Sequence, residues 1–106
     1  AEELARRMGT TRVTVNARRH ARQLIGLEGP TRGYRYPAWQ LDRDGRPFAI
    51  IPNLFTALGD SPWTIYRFLT QKHPELEGRT AIAALEKGED KRVLSVAASI
   101  AEGTFA

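Results

Sequence analysis

The sequence predicts a mainly α-helical protein with one small β-hairpin, and three observations lead to this prediction. Two short helical patterns separated by a glycine occupy the first 23 residues, and two short alternating segments flank a turn-rich stretch at residues 28–33. From residue 52 onward, apolar residues recur at helical spacing. The first two patterns together have the layout of a winged helix-turn-helix with the hairpin as its wing, and the third predicts a C-terminal helical lobe.

The composition is that of an ordinary globular chain with an uneven charge distribution. Its 106 residues are 42% hydrophobic and 26% charged, with a net charge of +4. Residues 1–40 carry eight arginines against three glutamates, a net charge of +5, whereas residues 41–106 carry eight basic and nine acidic side chains, a net charge of −1. Because arginine's planar fork matches phosphate oxygens and guanine edges, this asymmetry predicts a polyanionic partner for the N-terminal part only.

The two N-terminal helices are predicted from their apolar faces and their end signals. Residues 2–8 form an amphipathic pattern, and Gly9 is the expected stop because glycine accepts the left-handed conformation. Thr10 or Thr11 caps a second helix that runs to about Gln23.

The hairpin is predicted directly after the second helix. Residues 24–27 and 34–36 are the expected strands, and Pro37 ends the pairing because it has no N–H to donate. The apolar run at residues 48–51 is either a strand or a linker.

The C-terminal part is predicted to contain four helices. They begin at Pro52, after a cap at Asp60 or Ser61, at Ala81 with Thr80 as its cap, and at Asp90, the last one ending at Glu102. Residues 1–51 therefore form the expected DNA-binding region, and residues 52–106 the expected partner-binding and dimerisation region. The predicted core comprises Trp39, Leu54, Leu58, Trp63, Phe68, Leu69, Leu85, Leu94 and Ile100.

Two helical registers compete for the residues that would touch DNA. Helical periodicity alone places Val13, Ala17 and Leu24 on the buried side and Arg12, Arg19 and Arg22 on the opposite side. The usual helix-turn-helix spacing instead buries Ala5, Gly9 and Val15 and turns Arg12, Asn16 and His20 outward.

Arg12 faces outward in both registers and is the first candidate for a base contact. Asn16 and Arg19 follow, although a solvent-facing or capping role explains Asn16 equally well. Candidate contacts to the DNA backbone are Thr11 and Thr14 on the helix and Arg32 and Arg35 on the wing.

Several function classes lack support in the sequence. There are no cysteines, His20 and His73 are far apart, and no serine–histidine–acid set or phosphate-binding glycine loop occurs. No apolar run approaches the roughly 20 residues needed to cross a bilayer, and no signal-peptide pattern occurs. We therefore expect a cytoplasmic protein without catalytic residues, metal or cofactor.

The C-terminal part resembles a known family of antitoxins. The run HPELEGRTAIAAL at residues 73–85, followed by Gly88 and then residues 92–94, resembles the C-terminal domain of the Xre/MbcA/ParS antitoxin family. Ala81 stands where proline is common in that family. The segments at residues 34–40, 45–47, 62–63 and 67–69 resemble a subgroup in which a small winged helix-turn-helix replaces a longer N-terminal domain. The resemblance covers almost the whole chain.

The resemblance implies an antitoxin of a type II toxin–antitoxin pair. Such an antitoxin binds a RES-type, NAD-consuming toxin and represses its own operon through its N-terminal domain. The end of the antitoxin can block the toxin's active site, a role that falls here to the last helix with Glu102 and Phe105. Phe105 is either an aromatic anchor or part of a frayed terminus, and Arg79 either contacts the partner or braces the turn before a capped helix.

Operators are commonly read by two-fold symmetric proteins, so we expect a homodimer on double-stranded DNA. Two other interpretations remain open. One is a solitary transcriptional regulator whose C-terminal lobe only dimerises, and the other is a partner-binding module whose arginine-rich face is merely solvated.

Overall fold

Six α-helices and two short antiparallel strand pairs make up the part of the chain that the computed structural model describes, residues 2–30 and 33–104. The predicted mainly helical fold with a small antiparallel hairpin is thereby confirmed. The elements are, in order, α1 (Glu2–Met8), α2 (Arg12–His20), β1 (Leu27–Glu28), β2 (Tyr34–Arg35), a 3₁₀ turn (Ala38–Gln40), α3 (Ile51–Leu58), α4 (Pro62–Thr70), β3 (Lys72–His73), a second 3₁₀ turn (Pro74–Leu76), β4 (Arg79–Thr80), α5 (Ala81–Glu86) and α6 (Asp90–Thr104).

The chain divides into two compact units, Ala1–Pro52 and Asn53–Ala106, so that α3 begins in the first and continues into the second. We call them the N-terminal unit and the C-terminal unit. Every helix within the described ranges is too short or too polar to cross a membrane.

A small apolar cluster holds the N-terminal unit together. Leu4 and Ala5 of α1 pack with Val15 of α2 and with Leu24, and Met8, Tyr36 and Leu41 are partly buried against them. β1 and β2 pair with Leu27 opposite Arg35 and Glu28 opposite Tyr34.

Most of the strand predicted at residues 24–27 is wrong, because only Leu27 belongs to β1. The reason is the buried side chain of Gln40. Its Oε1 accepts the Ile25 N–H at 2.7 Å, and its Nε2 donates to the Ile25 carbonyl at 3.0 Å and to the Pro37 carbonyl at 2.9 Å. The backbone groups that a strand would offer to a neighbour are thus bound by one glutamine.

The end of α2 also differs from the prediction, and of the two alternatives left open for residues 48–51 the structure excludes the strand. α2 ends at His20 instead of Gln23, because Arg22 adopts a left-handed conformation (φ 60°) and the N–H of Gln23 returns to the carbonyl of Arg18 at 2.9 Å. The run at residues 48–51 is not a strand, since Phe48 donates its N–H to the Gln40 carbonyl at 2.9 Å and Ile51 already begins α3.

The C-terminal unit has an apolar core in which α5 packs against α4 and α6. Buried residues recur at helical spacing on each helix: Ile65, Phe68 and Leu69 on α4, Ala81, Ala84 and Leu85 on α5, and Val93, Val96 and Ala97 on α6. The predicted cap of α5 is confirmed, since Thr80 Oγ1 accepts the Ala83 N–H at 3.1 Å.

The predicted core is correct in part. Leu54, Phe68, Leu69 and Leu85 are buried, whereas Trp39, Leu58 and Leu94 are only half-buried. Trp63 and Ile100 are exposed at 47% and 40%, so their placement in the core is wrong. Trp63 packs edge-on against Tyr66 at a ring distance of 5.5 Å, away from the buried face of α4. Ile100 lies in the last five residues of the 15-residue α6, after its buried residues Val93, Val96 and Ala97.

The pairing of β3 with β4 was not predicted from the sequence. Lys72 lies opposite Thr80 and His73 opposite Arg79, around the 3₁₀ turn at Pro74–Leu76. The buried His73 ring places Nε2 2.8 Å from the Phe68 carbonyl and lies 4.8 Å from the Phe68 ring. This pairing sets the start of α5, because β4 ends at the residue that caps it.

Candidate nucleic-acid interface

α1 and α2 are joined by a three-residue turn whose ends are defined by hydrogen bonds. Gly9 has a positive φ of 69°, and the Thr10 N–H closes α1 by donating to the Ala5 carbonyl at 2.8 Å. Thr11 then caps α2, since its Oγ1 accepts the Thr14 N–H at 3.3 Å and its hydroxyl donates to Thr14 Oγ1 at 3.3 Å. The first residues of α2 are thereby held in a defined position on α1.

Val15 determines which face of α2 points to solvent. It is fully buried and packs with Leu4 and Ala5 of α1. Val13 is 77% exposed and Ala17 is also exposed, so the register that buried them is wrong. The register with helix-turn-helix spacing fits instead, apart from Gly9, which it buries and the structure exposes. We call the exposed residues of this side the outer face of α2: Arg12, Val13, Asn16, Ala17 and His20.

The β1–β2 hairpin is tied to α2 by one arginine and two tyrosines. The Arg19 guanidinium lies 3.8 Å from the centre of the Tyr34 ring, a cation–π distance. Arg19 Nε also donates to the Tyr36 hydroxyl at 3.1 Å, and that hydroxyl donates to Asn16 Oδ1 at 3.4 Å. Asn16 on the outer face is therefore oriented by the hairpin, and its Nδ2 is left to donate to another group.

These tyrosines were not among the predicted site residues. Their spacing predicts that they share a face, because residues two apart in an extended segment point to the same side. Both contact Arg19 in the structure. Val13 was also not among the predicted site residues, because the register from helical periodicity, one of the two left open, places it on the buried side.

The other arginines of the N-terminal unit differ in their partners. Arg12 pairs with Glu2 at 3.1 Å and Arg7 with Glu3 at 3.3 Å, in both cases between exposed side chains. Arg6, Arg18 and Arg35 are exposed and make no ion pair within the described ranges. Exposed pairs of this kind are weak, so a phosphate can replace the glutamate partner at small cost. Arg32, the other predicted wing residue, lies outside the described residues.

A cleft of about 310 Å³ lies between α1 and the hairpin. Glu3 and Arg7 of α1 line one wall, and Tyr34, Arg35 and Tyr36 line the other. The fold thus brings two arginines that are 28 positions apart in the sequence to one surface.

Two of the three predicted partner-binding residues of the C-terminal unit, Arg79 and Glu102, lie within the described residues. Arg79 is half-buried: its Nε donates to the Leu76 carbonyl at 2.9 Å, and its terminal nitrogens donate to Glu89 at 2.9 and 3.1 Å and to Glu77 at 3.0 Å. Glu102 is exposed on α6, and Phe105 lies outside the described residues. Bracing of the turn before α5 is therefore the role that the contacts of Arg79 support.

Arg79 belongs to a four-residue ion-pair cluster. Arg92 bridges the same two glutamates, Glu77 and Glu89, and donates to the Glu75 carbonyl at 2.9 Å. The hydrogen bond from Arg92 lowers the pKa of Glu77, and that from Arg79 lowers the pKa of Glu89. The cluster joins the turn after β3 to the start of α6.

Within the described ranges, no group of three or more histidine, aspartate or glutamate side chains is arranged to hold a metal ion. No protein-family model matches the chain, and comparisons with curated proteins and with solved structures likewise find no significant match.

Proposed function

We propose that the protein binds double-stranded DNA through its N-terminal unit, acting as a winged helix-turn-helix. In this proposal α2 enters the major groove, and the β1–β2 hairpin is the wing that lies against the backbone or the minor groove. One observation carries the proposal: Val15 anchors α2 so that Arg12, Asn16 and His20 share an exposed face beside an arginine-bearing hairpin.

Each predicted contact has a role in this arrangement. Arg12 and Asn16, one helical turn apart on the outer face, read base edges. Thr11 and Thr14 lie at the N-terminus of α2, where hydroxyl and N–H groups suit a phosphate. Arg32 and Arg35 are the wing residues that contact the phosphates of the DNA backbone. Arg19 fixes the wing to α2 through Tyr34 and Tyr36 and adds positive charge between them.

The C-terminal unit is the proposed binding region for a protein partner. The resemblance to Xre/MbcA/ParS antitoxins supports a cognate RES-type toxin that consumes NAD, and an antitoxin that neutralises it and represses the shared operon. The division into two units supports the same proposal, because DNA and toxin then have separate surfaces. The protein acts in the cytoplasm as a homodimer, without a catalytic step, metal or cofactor.

DNA binding is tested with the full chain and a duplex from its own upstream region, by anisotropy at several salt concentrations. Arg12→Ala is expected to weaken binding about tenfold or more and to relax the preference at one base pair. Arg35→Ala is expected to weaken binding to every sequence and to reduce the salt slope by about one.

The matched control is Arg67→Ala, which removes the same charge from an exposed position in the C-terminal unit. It should leave the affinity nearly unchanged. Equal losses in all three variants would mean that only net charge matters, and unchanged affinity for Arg12→Ala and Arg35→Ala would remove the proposal.

The antitoxin part is tested by co-expressing the chain with the product of the adjacent gene, followed by a pull-down and a growth assay. Rescue of growth and co-purification support an antitoxin. Phe105→Ala and Glu102→Ala then test whether these two residues contribute to toxin binding and to the rescue. Repression without a co-purifying partner supports a solitary regulator instead.

A further inference from the structure

Val13 is the most exposed large apolar residue of the described chain, at 77%, and it lies on the outer face of α2. Single exposed apolar side chains are common and have no meaning by themselves. The surroundings of Val13 are what distinguish it. Arg12 precedes it, Asn16 is three residues further on, and Ala17 follows one helical turn later on the same side.

The charged residues beside Val13 and Ala17 indicate which kind of partner covers these two apolar side chains. A hydrophobic protein partner would have to desolvate the neighbouring Arg12 and His20, whereas a DNA groove offers phosphate oxygens and base-edge acceptors to both. The same groove contains one type of exposed methyl group, the C5-methyl of thymine. Val13 and Ala17, which lie beside the polar Arg12 and Asn16, therefore fit the major-groove edge of a base pair that carries this methyl group next to hydrogen-bonding groups.

From this arrangement, and resting on the proposed DNA binding, we infer that Val13, with Ala17 beside it, reads thymine through its C5-methyl group in the major groove. Val13 is thus a specificity-determining residue that acts by apolar contact. Asn16, whose Oδ1 is held by the Tyr36 hydroxyl, has its Nδ2 directed to a hydrogen-bond acceptor on a neighbouring base.

The test begins with selection of the preferred site of the full chain from a random-sequence duplex pool. Each thymine of the selected site is then replaced singly by deoxyuridine, which removes the methyl and keeps every hydrogen-bonding group. Burial of one methyl corresponds to about a fourfold change in affinity, so at least one replacement should weaken wild-type binding by about that factor.

Val13→Ala should bind the thymine duplex more weakly and should no longer distinguish it from the uracil duplex at that position. Because Val13 is exposed, this variant is expected to fold as the wild type does. The matched control is Arg18→Ala on the same helix, which should weaken both duplexes equally and keep the fourfold difference.

The outcomes separate the inference from the proposed function. Two outcomes overturn the inference and leave DNA binding intact. In one, no replacement of thymine by deoxyuridine weakens binding. In the other, a replacement weakens binding of the wild type and of Val13→Ala by the same factor. A selection that enriches no sequence also overturns the inference, and failure of the full chain to bind any duplex overturns the proposed function as well. A fourfold penalty at one thymine that disappears in Val13→Ala supports the inference.

Discussion

Two arginines of the C-terminal unit each bridge two glutamates, whereas five arginines of the N-terminal unit have at most one ion-pair partner in the described chain. In the N-terminal unit Arg6, Arg18 and Arg35 are exposed without an ion pair in the described chain, and Arg7 and Arg12 have single exposed partners. In the C-terminal unit Arg79 and Arg92 each bridge Glu77 and Glu89. The number of arginines in a segment therefore says little about ligands until their partners are known.

Each unit buries one polar side chain among the described residues, and the two differ in what they contact: the His73 ring of the C-terminal unit hydrogen-bonds the Phe68 carbonyl, at 2.8 Å, whereas Gln40 of the N-terminal unit binds two segments of backbone. In the N-terminal unit, Gln40 makes three hydrogen bonds to the backbone of Ile25 and Pro37, which we call the glutamine tie. The buried faces of α4, α5 and α6 in the C-terminal unit are apolar. The N-terminal unit thus depends on hydrogen bonds for the placement of the segment that leads into its hairpin.

The largest expected effect comes from breaking that tie. Gln40→Ala should lower the free energy of unfolding by about 2–4 kcal/mol, because each buried backbone group left without a partner costs about 1–3 kcal/mol. Urea denaturation followed by circular dichroism measures the change. Gln40→Leu is the control for volume: it fills the space but still orphans the Ile25 N–H and carbonyl. Wild-type stability in Gln40→Leu would show that the hydrogen bonds contribute nothing.

A smaller effect is expected from loosening the hairpin. Tyr36→Phe keeps the ring but removes the hydroxyl that joins Arg19 to Asn16, so affinity for the preferred duplex should fall about fivefold. Tyr34→Phe is the matched control, since it retains the ring under the Arg19 guanidinium and should bind as the wild type does. Equal affinities for the two variants would argue against the orienting role of Tyr36.

A stability difference of about 1 kcal/mol is expected between two variants at the end of α2. α2 and α5 close with the same backbone motif, but the left-handed position is Arg22 in one and Gly88 in the other. Arg22→Gly should be more stable than Arg22→Ala by about 1 kcal/mol, because only glycine adopts this conformation without strain. Both variants lose the same side chain contacts, so the difference in thermal unfolding reports the backbone alone. Arg22→Ala at least as stable as Arg22→Gly would contradict this account.

The smallest effect concerns the ion-pair cluster in acid. Its arginines lower the pKa values of Glu77 and Glu89 in the folded chain. The cluster therefore stabilises the fold fully above the ordinary glutamate pKa of 4.5, and this contribution is lost as the pH falls through the lowered values. Glu89→Gln should be less stable than the wild type at pH 7 and should lose less stability between pH 5 and pH 3. Coinciding curves of melting temperature against pH for Glu89→Gln and the wild type would mean that Glu89 does not contribute to stability, and parallel curves with an offset would mean that the lowered pKa of Glu89 does not.

Local signals in the sequence were sufficient for the existence of the helices and for some of their ends, although not for the end of α2. α1 ends at the predicted glycine, Thr80 caps α5 as expected, and the charge asymmetry follows from residue counts alone. The helix end and the cap depend on residues within one helical turn of each other, and the charge asymmetry depends on composition alone. Each can therefore be predicted from the sequence.

Only the tertiary structure decided which face of α2 is exposed, because periodicity allowed two registers and the packing of Val15 on α1 selected one. It also decided that Gln40 occupies the Ile25 backbone, that Tyr36 reaches Asn16, and that Arg79 pairs with Glu89. These partners are between 10 and 20 positions apart in the chain. Such contacts depend on how elements pack together, and no local pattern encodes that.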